Sequence, residues 1–168
     1  MRSDQLRAVQ APLKEQYRRD PASALVTLKA EGKVGEGVTC SVQTGRALLE
    51  AGLHPATGGP GTQLCSGEML LQALVACAGV TLGAVAAALG VTLHSANVRA
   101  EGDLDFRGTL GVDRQAPVGF RSIRLAFSID SDAAAERLEK LIALTERYCV
   151  VYQTLRNSPP VTVSFDRP

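Results

Sequence analysis

The stretch LLQALVACAGVTLGAVAAALG, residues 70–90, is almost free of polar side chains and carries one cysteine, Cys77. No other part of the chain restricts the fold so strongly. From Met69 to Leu89 it rises roughly 31 Å as a helix, about the thickness of a bilayer. Length is its only membrane-like property. Ala and Gly dominate it, no aromatic belt flanks it, and no Lys or Arg lies near either end. A helix that is small and apolar all round is more simply the centre of a core, one that another subunit can help to bury. The expectation is a buried helix, no membrane partner, and Cys77 as small apolar filler unless the rest of the chain says otherwise.

A chain of 168 residues is about one domain's worth and can bury a real core. Eighteen basic against 17 acidic side chains leave a net charge of +1, and four Phe and three Tyr are the whole aromatic complement. A chain so balanced lacks the basic stripe and the stacking surface that a nucleic-acid binder needs. The N-terminal segment MRSDQLRAVQAPLKEQYRRDP is charged and has no apolar run of the secretory kind, so a cytoplasmic location is expected. Structural disulfides are then not expected from Cys40, Cys65, Cys77 and Cys149. The absence of any CxxC pair argues against a zinc site.

Residues 4–19 pattern as a short amphipathic helix interrupted by Pro12, giving an N-terminal helical extension over residues 1–20. Residues 21–168 are expected to form a single domain. ALVTLKAEG and GVTCSVQT look like two strands joined by the turn EGKVGEG, with Cys40 alternating onto the core side. The long helix should begin near Ser66 or Gly67, with Glu68 in its first turn and Gly90 as its stop. NVRAEGDLDF and FRSIRLAFSID read as strands; in the second, Ile123, Leu125, Phe127 and Ile129 alternate with polar or small residues. SDAAAERLEKLIALTERYCVVYQTL then reads as one amphipathic helix, capped by Ser131 and Asp132, with Cys149 on its apolar stripe. Pro159 and Pro160 end it, and VTVSF makes a final strand. Strands, helix, strands, helix and strand in this order are α+β rather than a doubly wound sheet.

Few residues carry chemistry. GGPGTQLCSGE precedes a helix but lacks the GK[ST] ending and any nearby Lys, so it is a glycine-rich entry loop rather than a phosphate cradle. His54 and His94 read as surface residues, although either could serve a cysteine nucleophile in a thiol hydrolase. Cys77 and Cys149 remain, one in each apolar helix. If the helices cross near them, the thiols can reach disulfide distance. Such a thiol still needs an anion-stabilising neighbour, because burial raises its pKa. Spacing alone leaves packing and redox roles both open.

Taken together, the segments resemble a known family. GEMLLQALVACAGVTL is similar to the ELLLAALAAC helix of the OsmC/Ohr family of thiol-dependent hydroperoxide reductases, and RYCVVYQTL followed by PPVTV resembles its second cysteine segment. HPATGGPGT and EGDLDFRGTLG with VGFRSIRLAFSID fit the same order, so the resemblance covers most of residues 24–165. It implies an intertwined α+β homodimer, with antiparallel sheets around two long central helices and active sites at the subunit interface. It implies that Cys77 attacks an organic hydroperoxide and that Cys149 resolves the product as a disulfide. An external dithiol, a lipoyl group or small thiol, would then reduce that disulfide, with no bound cofactor and no metal. In the family's organic-hydroperoxide-resistance branch a Glu ten residues before the first cysteine pairs with an Arg, and the departures from it here imply the OsmC-like branch. Here Gly67 holds that position, Glu68 is the neighbouring carboxylate, and Lys33 or the more distant Arg46 is the available cation. Val150 stands where Pro is common. A non-enzymatic dimer that keeps the fold and binds a hydrophobic ligand at the interface is the alternative.

Overall fold

Residues 120–130 form a strand whose odd-numbered apolar side chains, from Ile123 to Ile129, are half-buried while Arg124, Ala126, Ser128 and Asp130 are exposed. The computed structural model describes residues 3–34, 40–42, 51–62, 64–165 and 167. In chain order these give α1 (Ser3–Arg19), β1 (Leu25–Val34), β2 (Cys40–Val42), β3 (Ala51–Gly52), β4 (Leu64–Cys65) and α2 (Ser66–Leu89). There follow β5 (Ser95–Asp105), α3 (Phe106–Thr109), β6 (Phe120–Asp130), α4 (Ala135–Tyr148) and α5 (Val150–Arg156). β2, β1, β5 and β6 lie side by side in one antiparallel sheet, and β3 pairs β4 in a short parallel ladder. The fold is α+β, as the segment order implied.

α2 lies across β1 and β5 and packs on α4 and α5. It is the one helix among the described residues long and apolar enough to cross a membrane. Leu71, Leu74, Val75, Ala78, Leu82, Val85 and Ala86 form its buried side, meeting Val98, Ala100 and Leu104 of β5 in one cluster and Leu141 of α4 in another. Gly90 ends the helix in the left-handed region at φ 61°, which a glycine occupies without a Cβ clash. The N–H of Val91 then closes onto Ala86 O at 2.9 Å. Leu71 is fully buried, so Leu71→Ala is expected to cost roughly 2–5 kcal/mol of stability in a denaturant titration.

Several expectations are corrected. Pro12 does not interrupt α1; the helix continues through it. Contacts on either side hold it, Gln10 Nε2 donating to Thr57 O at 3.0 Å and Tyr17 Oη to Ala56 O at 2.7 Å. Ser131 and Asp132 do not cap α4, whose N-cap is Ala134. Ser131 Oγ is engaged with Thr92 O, and Asp132 pairs with His94 at 2.8 Å. The expected single helix breaks at Cys149, whose ψ of 107° is extended. Residues 161–165 are not a strand, and Val161, Val163 and Phe165 are exposed, since a strand needs a neighbouring strand to take its backbone hydrogen bonds. His54 is half-buried rather than on the surface, its ring stacked on Phe106 at 5.0 Å. The side chain of Cys40 and the turn over residues 35–37 lie outside the described residues.

Candidate active site

The break at Cys149 is what builds the site. Cys149 N–H makes the last α4 bond, to Thr145 O at 2.9 Å. The next amides have no helical partner, as at any helix start. Tyr152 N–H turns to Cys149 Sγ at 3.5 Å, and Gln153 N–H returns to Cys149 O at 2.9 Å. The amides of Val150 and Val151 act on Cys77 instead, lowering its thiol. Side chains clasp the break from outside: Tyr152 Oη donates to Glu146 at 3.2 Å and Gln153 Nε2 to Glu146 O at 2.8 Å. Local sequence favours the break too, because Val150 and Val151 are β-branched and stiff.

Cys77 faces this junction from the middle of α2, half-buried and packed against the cluster that encloses Cys149. Both are free thiols. Their environments push them apart. Burial raises Cys77, but the Val151 amide, the Cys149 thiol, the Val150 amide and the Thr81 hydroxyl together outweigh it, and the thiol lies below its ordinary value. Cys149 is 1% exposed, and burial pushes it up to about 11, the amide of Tyr152 only partly opposing and the adjacent Cys77 adding to the rise. One sulfur is therefore half-buried with its thiol below its ordinary value, while its neighbour is enclosed with its thiol pushed up to about 11.

The other residues singled out from sequence stand apart from this pair. Glu68 bends back to the start of its own helix, where its carboxylate accepts from Cys65 N–H at 3.2 Å. Nine residues separate it from Cys77, about half a turn around the helix and some 13 Å, roughly, along it. Lys33 is exposed on β1 opposite Ser41 and Asn97. Arg46 lies outside the described residues. Among the described residues that act on the Cys77 thiol, neither Glu68 nor Lys33 appears. Neither histidine is among them: His54 Nδ1 accepts from Ala56 N–H, and His94 is exposed beside Asp132. Sequence reasoning missed Thr81 and the two valine amides. Thr81 was findable, since it follows Cys77 by four positions in an otherwise apolar helix. The amides carried no side-chain signal.

A groove of about 560 Å³ runs between β6 and the helices. Leu74, Phe120, Ile123, Leu125, Tyr152 and Leu155 give it apolar walls, and Arg121, Glu146 and Arg156 also line it. Neither cysteine lines the groove; it comes nearest them through Leu74, three residues before Cys77, and Tyr152, whose amide donates to Cys149 Sγ.

A family model described as OsmC-like protein matches residues 59–164, which contain both cysteines, Thr81 and the whole of α2 through α5. The chain belongs to the OsmC-like family. Lys33 and Arg46 precede the matched span of this OsmC-like chain. An OsmC-like hydroperoxide resistance protein from Jannaschia sp. CCS1 shares the fold with a TM-score of 0.59 at 19% identity, over 82% of this chain and 91% of that one. An OsmC-like protein from Mycoplasma pneumoniae does so with a TM-score of 0.56 at 18% identity, over 80% and 86%. No curated protein matches the chain. In this chain the matched span carries Cys77 on α2 and Cys149 at the α4–α5 junction.

Proposed function

We propose that this OsmC-like chain is a thiol-dependent peroxidase that reduces organic hydroperoxides to alcohols. The observation that carries this reading is the packing of a half-buried Cys77, its thiol lowered, against the cluster that buries Cys149, its thiol raised. The thiolate of Cys77 attacks the terminal oxygen of the hydroperoxide and the O–O bond breaks. The departing alkoxide takes a proton and leaves as the alcohol, while Cys77 becomes a sulfenic acid. Cys149 then attacks that sulfur and water leaves, closing a Cys77–Cys149 disulfide. Two thiols of an external dithiol, a lipoyl group or small thiol, reduce it and are themselves oxidised to a disulfide. No step draws on a bound cofactor or metal. A cytoplasmic location, where thiols are kept reduced, suits the cycle. The apolar groove favours organic peroxides over hydrogen peroxide, because a hydrocarbon tail gains by leaving water.

A homodimer completes the proposal. Leu70, Ala73, Val80, Ala84 and Ala87 are exposed on α2, and with Cys77 they follow one another by three and four residues. That spacing is a seam for a second helix, and its alanines allow close approach. Cys77 lies within the seam, so a second copy of α2 would wall its site. Ala84→Glu, which buries a charge at such a contact, is expected to halve the mass measured by sedimentation; a wild-type chain that sediments as a monomer would overturn the dimer.

The direct test is consumption of cumene or fatty-acid hydroperoxide with a dithiol, followed by peptide mapping after one equivalent of peroxide. A Cys77–Cys149 peptide is expected. The groove also favours a second reading, a non-enzymatic dimer that binds a hydrophobic ligand. That reading requires no turnover with any dithiol, and ligand-dependent stabilisation that survives Cys77→Ser.

A further inference from the structure

β6 does not pair evenly with β5. Ser122 lies opposite Asp103 and Phe120 opposite Leu104, so Arg121 is left over as a bulge in the strand. Bulges re-aim side chains and are frequent at sheet edges, and β6 is an edge strand here. The effect on the faces is direct. Phe120 and Ile123 are three residues apart, which strict alternation would send to opposite faces, yet both line the groove between β6 and the helices. Phe120 lies over Gly102, where a Cβ would meet its ring at 2.4 Å. Arg121 stands exposed on the same wall.

The charges around the groove are unevenly matched. Tyr152 Oη donates to Glu146 and accepts from Arg156 Nη1, each at 3.2 Å, so this carboxylate and this cation share one phenol. The carboxylates on the Arg121 side have cations of their own: Arg107 takes Asp105 in a fork, at 2.6 and 3.0 Å, and Arg124 takes Asp103. Among the described residues no hydrogen bond or ion pair holds the Arg121 guanidinium.

We propose that the groove binds an amphipathic carboxylate, its acyl chain along Leu74, Ile123, Leu125 and Leu155 and its carboxylate in the fork of Arg121. A volume of about 560 Å³ is in the range of small-molecule sites, about 300–1,000 Å³. The tail gains by leaving water. A guanidinium offers a carboxylate two parallel N–H donors, which fixes the direction in which the chain enters. The inference shares with the peroxidase reading the premise that an acyl chain enters this groove, and adds the residue that recognises its end.

The test is isothermal titration calorimetry of the full chain with decanoate and with decan-1-ol at neutral pH, ligands that share a tail and differ in the head. Wild-type protein is expected to bind decanoate more tightly than decanol by roughly tenfold or more. Arg121→Gln should lower decanoate to the affinity of decanol and leave decanol within about twofold. Arg121→Lys should fall between, because it keeps the charge and loses the fork. Arg121 is exposed, so both substitutions spare the core. Leu155→Ala, which touches the tail alone, should weaken both ligands alike. Equal affinities in wild type, or equal losses in Arg121→Gln, would overturn the proposal. So would a groove that takes neither ligand, the result if a second copy of the chain fills it. Neither titration involves peroxide. A chain that binds decanoate through Arg121 but consumes no hydroperoxide loses the peroxidase reading alone, and one that consumes cumene hydroperoxide without preferring decanoate loses this inference alone.

Discussion

Cys77→Ser is expected to remove hydroperoxide consumption, with a fall of at least about a thousandfold in turnover under a dithiol. A serine hydroxyl titrates far above any working pH and is a poor nucleophile toward an O–O bond, whereas Cys77 is held below its ordinary thiol value by four donors. The same donors fix the pH profile. The thiolate is the reactive form, so the peroxide rate constant should be level above the Cys77 pKa. Below that pKa it should fall about tenfold per pH unit as the sulfur is protonated. Because that pKa is lowered from 9.0, the midpoint should lie below that of a free cysteine under the same conditions. Cys65→Ser, which changes a thiol at the start of α2 outside the pair, should leave turnover unchanged. Peroxide consumption that survives Cys77→Ser would remove Cys77 from the chemistry altogether.

The second large effect is expected from Cys149→Ser, and it differs in kind. The first chemical step needs only Cys77, so the variant should release one equivalent of alcohol per site and then stall. The stalled sulfenic acid should be captured by dimedone at Cys77, and excess peroxide should carry it on to sulfinic and sulfonic acids. Wild-type protein should resist this overoxidation, because Cys149 lies in the cluster against which Cys77 packs and can close the disulfide in place. Its high pKa does not prevent resolution. It keeps Cys149 from competing for the peroxide; in the resolving step the sulfenic sulfur is the electrophile, and the Cys149 proton leaves with the sulfenic oxygen as water. Sustained turnover of Cys149→Ser at the wild-type rate, with no build-up of dimedone adduct, would take the resolving role away from Cys149.

How far the site was legible differs residue by residue. β6 could be read from its alternation, because a period of two maps directly onto two faces of a sheet. The ends of α2 were equally readable, since Gly90 is the residue that tolerates the left-handed turn after Leu89. The face of α2 was not. A helix apolar all round has no preferred side until the sheet chooses one, and here that choice left Leu70, Ala73, Val80, Ala84 and Ala87 uncovered beside Cys77. Glu68 looked close to the thiol in sequence, yet helix geometry sends it to the far side, where it satisfies the amide of Cys65.

The break at Cys149 is the clearest division between the two levels. Spacing by threes and fours carries the apolar stripe of α4 through Cys149, and periodicity has no means of ending it there. The chain itself determined the long apolar helix and where it stops, the paired strands that follow it, and two cysteines 72 residues apart. Packing α5 against α2 decided the rest. The amides of Val150 and Val151 act on a thiol of another helix, Tyr152 directs its own to Cys149, and the continuous helix is lost. Backbone N–H groups are identical at every non-proline position, so sequence cannot mark which ones will meet a thiolate. Only the fold, by leaving those two without a helical partner beside Cys77, gives them that place.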